Sequence, residues 1–169
     1  MSDPLPIDVL DTSALVESKR AIVVSAQWAA FKVLEQRVAE GLIAMPRQVI
    51  KEVTAIAHAD IPGAWAPGMR SQLRHPIDVG YEFVARVMTV AGEVVDASAT
   101  GEEADPYVLA LALCLRDRGH AVRVVTEDSV DRLPLRISLC TDCDRFGVPH
   151  LDVRTFLCEC GISVKGPDG

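Results

Sequence analysis

Apolar positions fall either in short solid runs or at three- and four-residue steps, a pattern that predicts buried strands alternating with helices. Ile7-Asp8-Val9-Leu10 is a run that stops at Asp11-Thr12-Ser13, and it reads as a strand ending in small polar residues. After a short connection, Trp28, Phe31, Leu34 and Val38 recur at helical spacing, placing Trp28 on a core face, and Gly41 stands where that helix can end. Leu42-Ile43-Ala44-Met45 reads as a second strand. Pro46 then opens a helix whose apolar stripe is Val49, Val53, Ile56 and Ala57.

The stretch 60–76 is rich in proline and glycine (Pro62, Gly63, Pro67, Gly68, Pro76) and reads as a loop anchored by Trp65. Gly80, Phe83, Val84, Val87 and Ala91 form another helical stripe over 77–91. Asp105-Pro106 opens a helix with Val108, Leu111, Ala112 and Leu115 facing inward, and Arg118-Gly119 closes it. A strand over 121–125 stops at Thr126-Glu127-Asp128. A last strand over 148–151 and a short helix to about Cys160 complete one domain over residues 1–162, with 163–169 as a flexible tail. Without a hairpin signal, this order predicts an α/β fold: a parallel sheet with helices on both faces and function at the carboxyl ends of its strands.

Composition adds limits to this picture. The 169 residues suit a single domain able to bury its own core, and 24 acidic against 17 basic residues leave a net charge of −7. That balance argues against non-specific nucleic-acid binding through a broad basic patch, but not against meeting phosphates through bound cations. No apolar run approaches the roughly 20 residues of a membrane span. The N-terminus, with Asp3 and Pro4, does not look like a secretory signal, and five cysteines read as reduced thiols in a cytoplasmic protein.

Four carboxylates fall where such a sheet would gather them. Asp11 follows the first strand and Asp128 lies just beyond the strand ending at Val125, so both project from one edge. Asp105, as N-cap or in the first turn, heads the 105, 108, 112, 115 face that packs on the sheet, and Glu52 lies on the helix after the second strand. Each acid alone has an ordinary reading as a turn residue, a cap or a solvated charge. Together they repel, since two unit charges about 4 Å apart cost about 4 kcal/mol at an effective dielectric of about 20. Such a cluster calls for protons or cations, and an all-oxygen donor set without His or Cys selects Mg²⁺ or Mn²⁺ over zinc. Ions held this way activate water and stabilise the leaving oxygen of a phosphodiester.

These residues resemble those of the PIN-domain nucleases: Asp11-Thr12-Ser13, a Glu after the second strand, an Asp opening a later helix, and Thr126-x-Asp128 after a strand. The resemblance spans about residues 7–162 and looks closest to a subgroup placed with VapC-type toxins. Segments similar to that subgroup's are 45–52, Asp105-Pro106-Tyr107-Val108, Val125-Thr126-Glu127-Asp128 and Cys143-Asp144-Arg145-Phe146-Gly147-Val148. It implies a three-layer α/β/α sandwich, Mg²⁺- or Mn²⁺-dependent cleavage of RNA, a protein antitoxin as partner and a homodimer. The acidic site it implies is Asp11, Glu52, Asp105 and Asp128, supported by hydrogen bonds from Thr12, Ser13 and Thr126. Arg47, Lys51 and Arg70 lie near the expected mouth, either touching phosphates or simply solvated.

Other features compete less well. Cys140-x-x-Cys143 and Cys158-x-Cys160 have spacing close to a zinc ribbon, but buried reduced thiols are the preferred reading and redox pairing a third; Cys114 reads as a small core residue. His58, His75, His120 and His150 share no ligand spacing. A catalytically silent PIN-like module binding RNA or protein is the alternative function. An aspartyl-phosphate hydrolase is a third, weakened by Ser13 where a second Asp would stand.

Overall fold

A computed structural model describes residues 3–57, 60–90 and 103–166. The strands are β1 (Ile7–Leu10), β2 (Ile43–Ala44), β3 (Val122–Val125) and β4 (His150–Leu151), all parallel in the order β2-β1-β3-β4. Every residue of β1 is buried, as expected of a central strand covered on both faces. The helices are α1 (Thr12–Ala21), α2 (Gln27–Ala39), α3 (Arg47–Ala57), α4 (Ile61–Met69), α5 (Tyr81–Val90), α6 (Asp105–Asp117), α7 (Leu139–Arg145) and α8 (Val153–Glu159). The result is the expected three-layer α/β architecture. None of the described helices is long and apolar enough to cross a membrane.

The centre of the core is α6. Val108 to Leu115 are apolar at every position and all buried, because α6 packs on β1 and β3 and is covered in turn by α5 and α7. Gly41 and Gly119 end α2 and α6 with φ of 76° and 89°, the left-handed conformation that glycine adopts without strain.

The chain departs from its expected organisation in five places. The connection after Asp11 is α1, whose Ala14, Leu15, Ser18 and Ala21 form a buried stripe. The expected loop over 60–76 holds α4, because Trp65, Ala66 and Met69 recur at helical spacing and bury, with Trp65 edge-on to Phe31 at 5.3 Å. Trp28 is 70% exposed, since Gln27 takes the inward place and donates from Nε2 to the Lys19 carbonyl at 2.9 Å. Ile56 is likewise 64% exposed rather than part of the α3 core stripe. Within the expected tail, Val164 packs on the core and the Lys165 N–H donates to the Ala21 carbonyl at 2.8 Å, so the folded unit reaches 165. Ala91, His58 and 167–169 lie outside the described residues, as does the side chain of Ala57.

Candidate active site

The first strand leads directly into the site. Leu10 pairs in register with Val125, so Asp11 and Thr126 leave adjacent strands at the same edge. This is also where the sheet's strand order reverses, the place at which parallel α/β sheets form their ligand crevice. Asp11 occupies the N-cap position of α1, yet its side chain makes no capping hydrogen bond. It turns into an open cleft of about 460 Å³ whose lining includes Glu52, Asp105, Asp128 and Arg136.

Hydroxyl groups fix one oxygen of Asp11. Ser13 Oγ donates to Asp11 Oδ2 at 2.6 Å and Thr126 Oγ1 donates to the same oxygen at 2.8 Å. Each hydroxyl has a single proton, so both are thereby used. Ser13 Oγ in turn accepts from the Glu127 N–H, and Thr126 Oγ1 from the Asp128 N–H, both at 3.0 Å. Asp11 is only 2% exposed, and its other oxygen, Oδ1, is buried with no hydrogen-bond partner. A buried carboxylate oxygen left unmatched is costly unless something in the cleft completes it.

Glu52 joins α3 to the start of α6. Its Oε2 accepts from Thr12 Oγ1 at 2.7 Å and its Oε1 from the Ala104 N–H at 2.8 Å. Asp105 lies in the first turn of α6, with Ala104 as N-cap. Asp128 Oδ2 accepts the Leu139 N–H at 2.8 Å. All seven residues expected in the site are therefore in one place. Glu127, beside Asp128, sends Oε1 to the Val153 N–H at 2.7 Å and so holds the start of α8.

The electrostatics follow from this crowding. Burial raises the carboxyl pKa of Asp11, which the Ser13 and Thr126 hydroxyls partly counteract. Burial also raises that of Glu52 against the hydrogen bonds from Thr12 and Ala104. Asp105 is pushed up to about 8, first by burial and then by the charge of Asp11, with Arg136 opposing and Asp128 and Glu52 adding to the rise. Arg136, which no motif singled out, is the cation inside the cluster. Its Nη2 donates to Asp105 Oδ2 at 2.6 Å and to Asp128 Oδ2 at 2.5 Å. Its only sequence signal is its position eight residues after Asp128, in a segment with no helical or strand period.

The other expected candidates lie elsewhere. Arg47, Lys51 and Arg70 line a separate groove with Ile50, Thr54 and Pro67, not the acidic cleft, and Arg47 is paired twice to Asp78 at 2.6 Å. The four cysteines of the zinc-ribbon spacing do not assemble: Cys143 is buried on α7, Cys158 is exposed on α8, and all five thiols are unbonded. Among the described residues, no three His, Cys, Asp or Glu side chains form a ready-made metal site. His75 bonds the Gly41 carbonyl at 2.8 Å and His150 pairs with Asp144, both away from the cleft. Trp65 is 9% exposed and packs in the core rather than presenting a ring to a base.

A family model described as a domain of unknown function, DUF4411, matches residues 9–164. The chain belongs to the DUF4411 family. The match begins within β1 and ends beyond α8, so every residue of the cleft falls inside the DUF4411 domain. No curated protein matches the chain.

Proposed function

We propose that the protein is a Mg²⁺- or Mn²⁺-dependent endoribonuclease of the kind its resemblance to PIN-domain nucleases implies, and the cytoplasmic toxin of a toxin–antitoxin pair. One observation carries this reading. Four carboxylates from the end of β1, α3, α6 and the segment after β3 share one cleft, and a fully buried oxygen of Asp11 has no hydrogen-bond partner. The all-oxygen donor set suits a hard divalent ion, which Asp11, Asp105 and Asp128 would hold between them. When bound, such an ion activates water and neutralises charge on the leaving oxygen.

The chain's own groups supply the rest. Ser13 and Thr126 lock Asp11 Oδ2 and leave Oδ1 free of protein hydrogen bonds. Glu52, oriented from both sides by Thr12 and the Ala104 N–H, accepts a proton from the attacking water, a role its raised pKa suits. Arg20 and Arg132 line the same cleft and supply local positive charge for RNA phosphates on an otherwise acidic protein. Val130, Leu133 and Leu135 are exposed on the segment that carries Arg136, apolar surface suited to a protein antitoxin. A homodimer belongs to the same reading.

A second reading, a catalytically silent PIN-like module, draws support from Arg136, which already neutralises two of the acids. Incubating wild type and Asp11→Asn with total cellular RNA, with Mn²⁺, Mg²⁺ or EDTA, separates the two. Discrete fragments from wild type only, and only with metal, are the expected result. Equal cleavage by both proteins refutes the assigned site, and no cleavage by either favours the silent module.

A further inference from the structure

Arg136 is held differently from the permanent arginine pairs of this chain. Arg123 grips Asp8 with Nε and Nη2 on separate oxygens, at 2.9 and 3.2 Å, and Arg47 grips Asp78 the same way. Such two-pronged pairing is the geometry of a fixed ion pair. Arg136 instead offers one nitrogen to two carboxylates, while its Nε is buried without a partner. A single positive centre bridging oxygens of two acids is what a metal ion would provide. The segment behind it is open to solvent: residues 129–135 are all exposed, and the turn closes on itself through paired Arg132 and Arg136 backbone hydrogen bonds.

We propose that Arg136 is a positioning residue that stands in for a divalent cation, keeping the Asp105 and Asp128 oxygens together in the metal-free site and giving up that place when Mg²⁺ or Mn²⁺ binds. This rests on the metal-dependent reading above. The two occupants exclude each other on electrostatic grounds. An ion at about 2.0–2.1 Å from the same oxygens would stand almost in contact with the guanidinium nitrogen. Metal binding therefore requires Arg136 to withdraw, and the exposed turn must shift with it. The intrinsic affinity of the carboxylates is correspondingly masked in the wild-type protein.

Calorimetric titration of the full chain with MnCl₂, together with melting in EDTA, tests this on wild type, Arg136→Gln and Arg136→Lys. Arg136→Gln should bind Mn²⁺ about tenfold more tightly, because no resident cation competes. It should also melt lower than wild type in EDTA and recover with Mn²⁺, while Arg136→Lys restores wild-type behaviour in both measurements. Trypsin should cut wild type after Arg132 faster when Mn²⁺ is present. A folded Arg136→Gln with wild-type or weaker Mn²⁺ affinity overturns the proposal and leaves the nuclease reading intact, provided wild type binds. Absence of Mn²⁺ binding by both folded proteins overturns the metal-dependent reading and this inference with it. If Arg136→Gln does not fold, unchanged tryptic cleavage of wild type on adding Mn²⁺ overturns the proposal.

Discussion

Asp105 links the chemistry of the cleft to the stability of the fold, and Asp105→Asn reads that link out. In the unfolded chain its carboxyl ionises near 3.8; in the folded protein burial and the neighbouring Asp11 push it up to about 8. A pKa raised by folding means that the folded state binds the proton more tightly. The stability tied to that proton is thus complete below the unfolded value and is lost as pH rises towards and through 8. Each unit of this window is worth about 1.4 kcal/mol, so the metal-free protein should lose about 4 kcal/mol through this one group between about pH 5 and pH 8. Its side chain is only 15% exposed, so solvent screens little of the effect. Asparagine does not titrate. Urea unfolding of wild type and Asp105→Asn in EDTA should therefore give free-energy curves that separate by about this amount as pH rises, the variant becoming the relatively more stable protein at alkaline pH. Loss of the Arg136 hydrogen bond adds an offset that is constant with pH and does not disguise the slope. Curves that run parallel from pH 5 to pH 9 would refute the argument that the four acids are close enough to hold a proton between them.

Three further outcomes follow from particular contacts. Thr12→Val removes the hydroxyl that donates to Glu52 Oε2. Since a hydrogen bond to a charged group is worth about 1.5–3 kcal/mol, urea unfolding should lose up to about that much and the RNA cleavage rate should fall about tenfold to a hundredfold. Asp8→Ala leaves Arg123 and Arg37 without their buried partner on β1 and should cost about 3 kcal/mol in urea unfolding, with the cleft untouched. The two tryptophans should behave oppositely: Trp28→Ser should change stability by less than about 0.5 kcal/mol, whereas Trp65→Ala should cost about 3 kcal/mol.

The acids were legible in the sequence because their positions depend on strand ends, and strand ends are local. An apolar run that stops at Asp11, and another that stops just before Thr126, needs only a parallel sheet to bring the two together. Helix starts are similarly local, which is why Asp105 beside Pro106 was readable as the head of a buried helix. What failed was the choice of face and the reading of proline. Trp28 and Gln27 are neighbours on one helix, and only contact with the preceding segment decides that Gln27 points inward, where it finds the Lys19 carbonyl. Pro62 sits in the first turn of α4, where a missing N–H costs nothing, so a stretch that looked like a broken loop is a helix.

Arg136 was illegible for a different reason, and that reason bears on how such sites are read. Local pattern identifies groups that a regular element aims, whereas Arg136 is delivered by an irregular exposed turn between β3 and α7. Charge accounting could have asked for it. Four carboxylates at one edge cannot stand together without positive charge or protons, and this structure uses both: a guanidinium bonded to Asp105 and Asp128, and a carboxyl on Asp105 that keeps its proton to about pH 8. The two devices neutralise the same cluster by routes that a divalent ion would make unnecessary. The proton on Asp105 and the contact from Arg136 are therefore linked to the same event, and ion binding should release the one and displace the other together. In a weakly buffered titration with Mn²⁺ near neutral pH, proton release should rise in step with tryptic cleavage after Arg132. Metal binding with neither change would show that the ion sits outside this cluster.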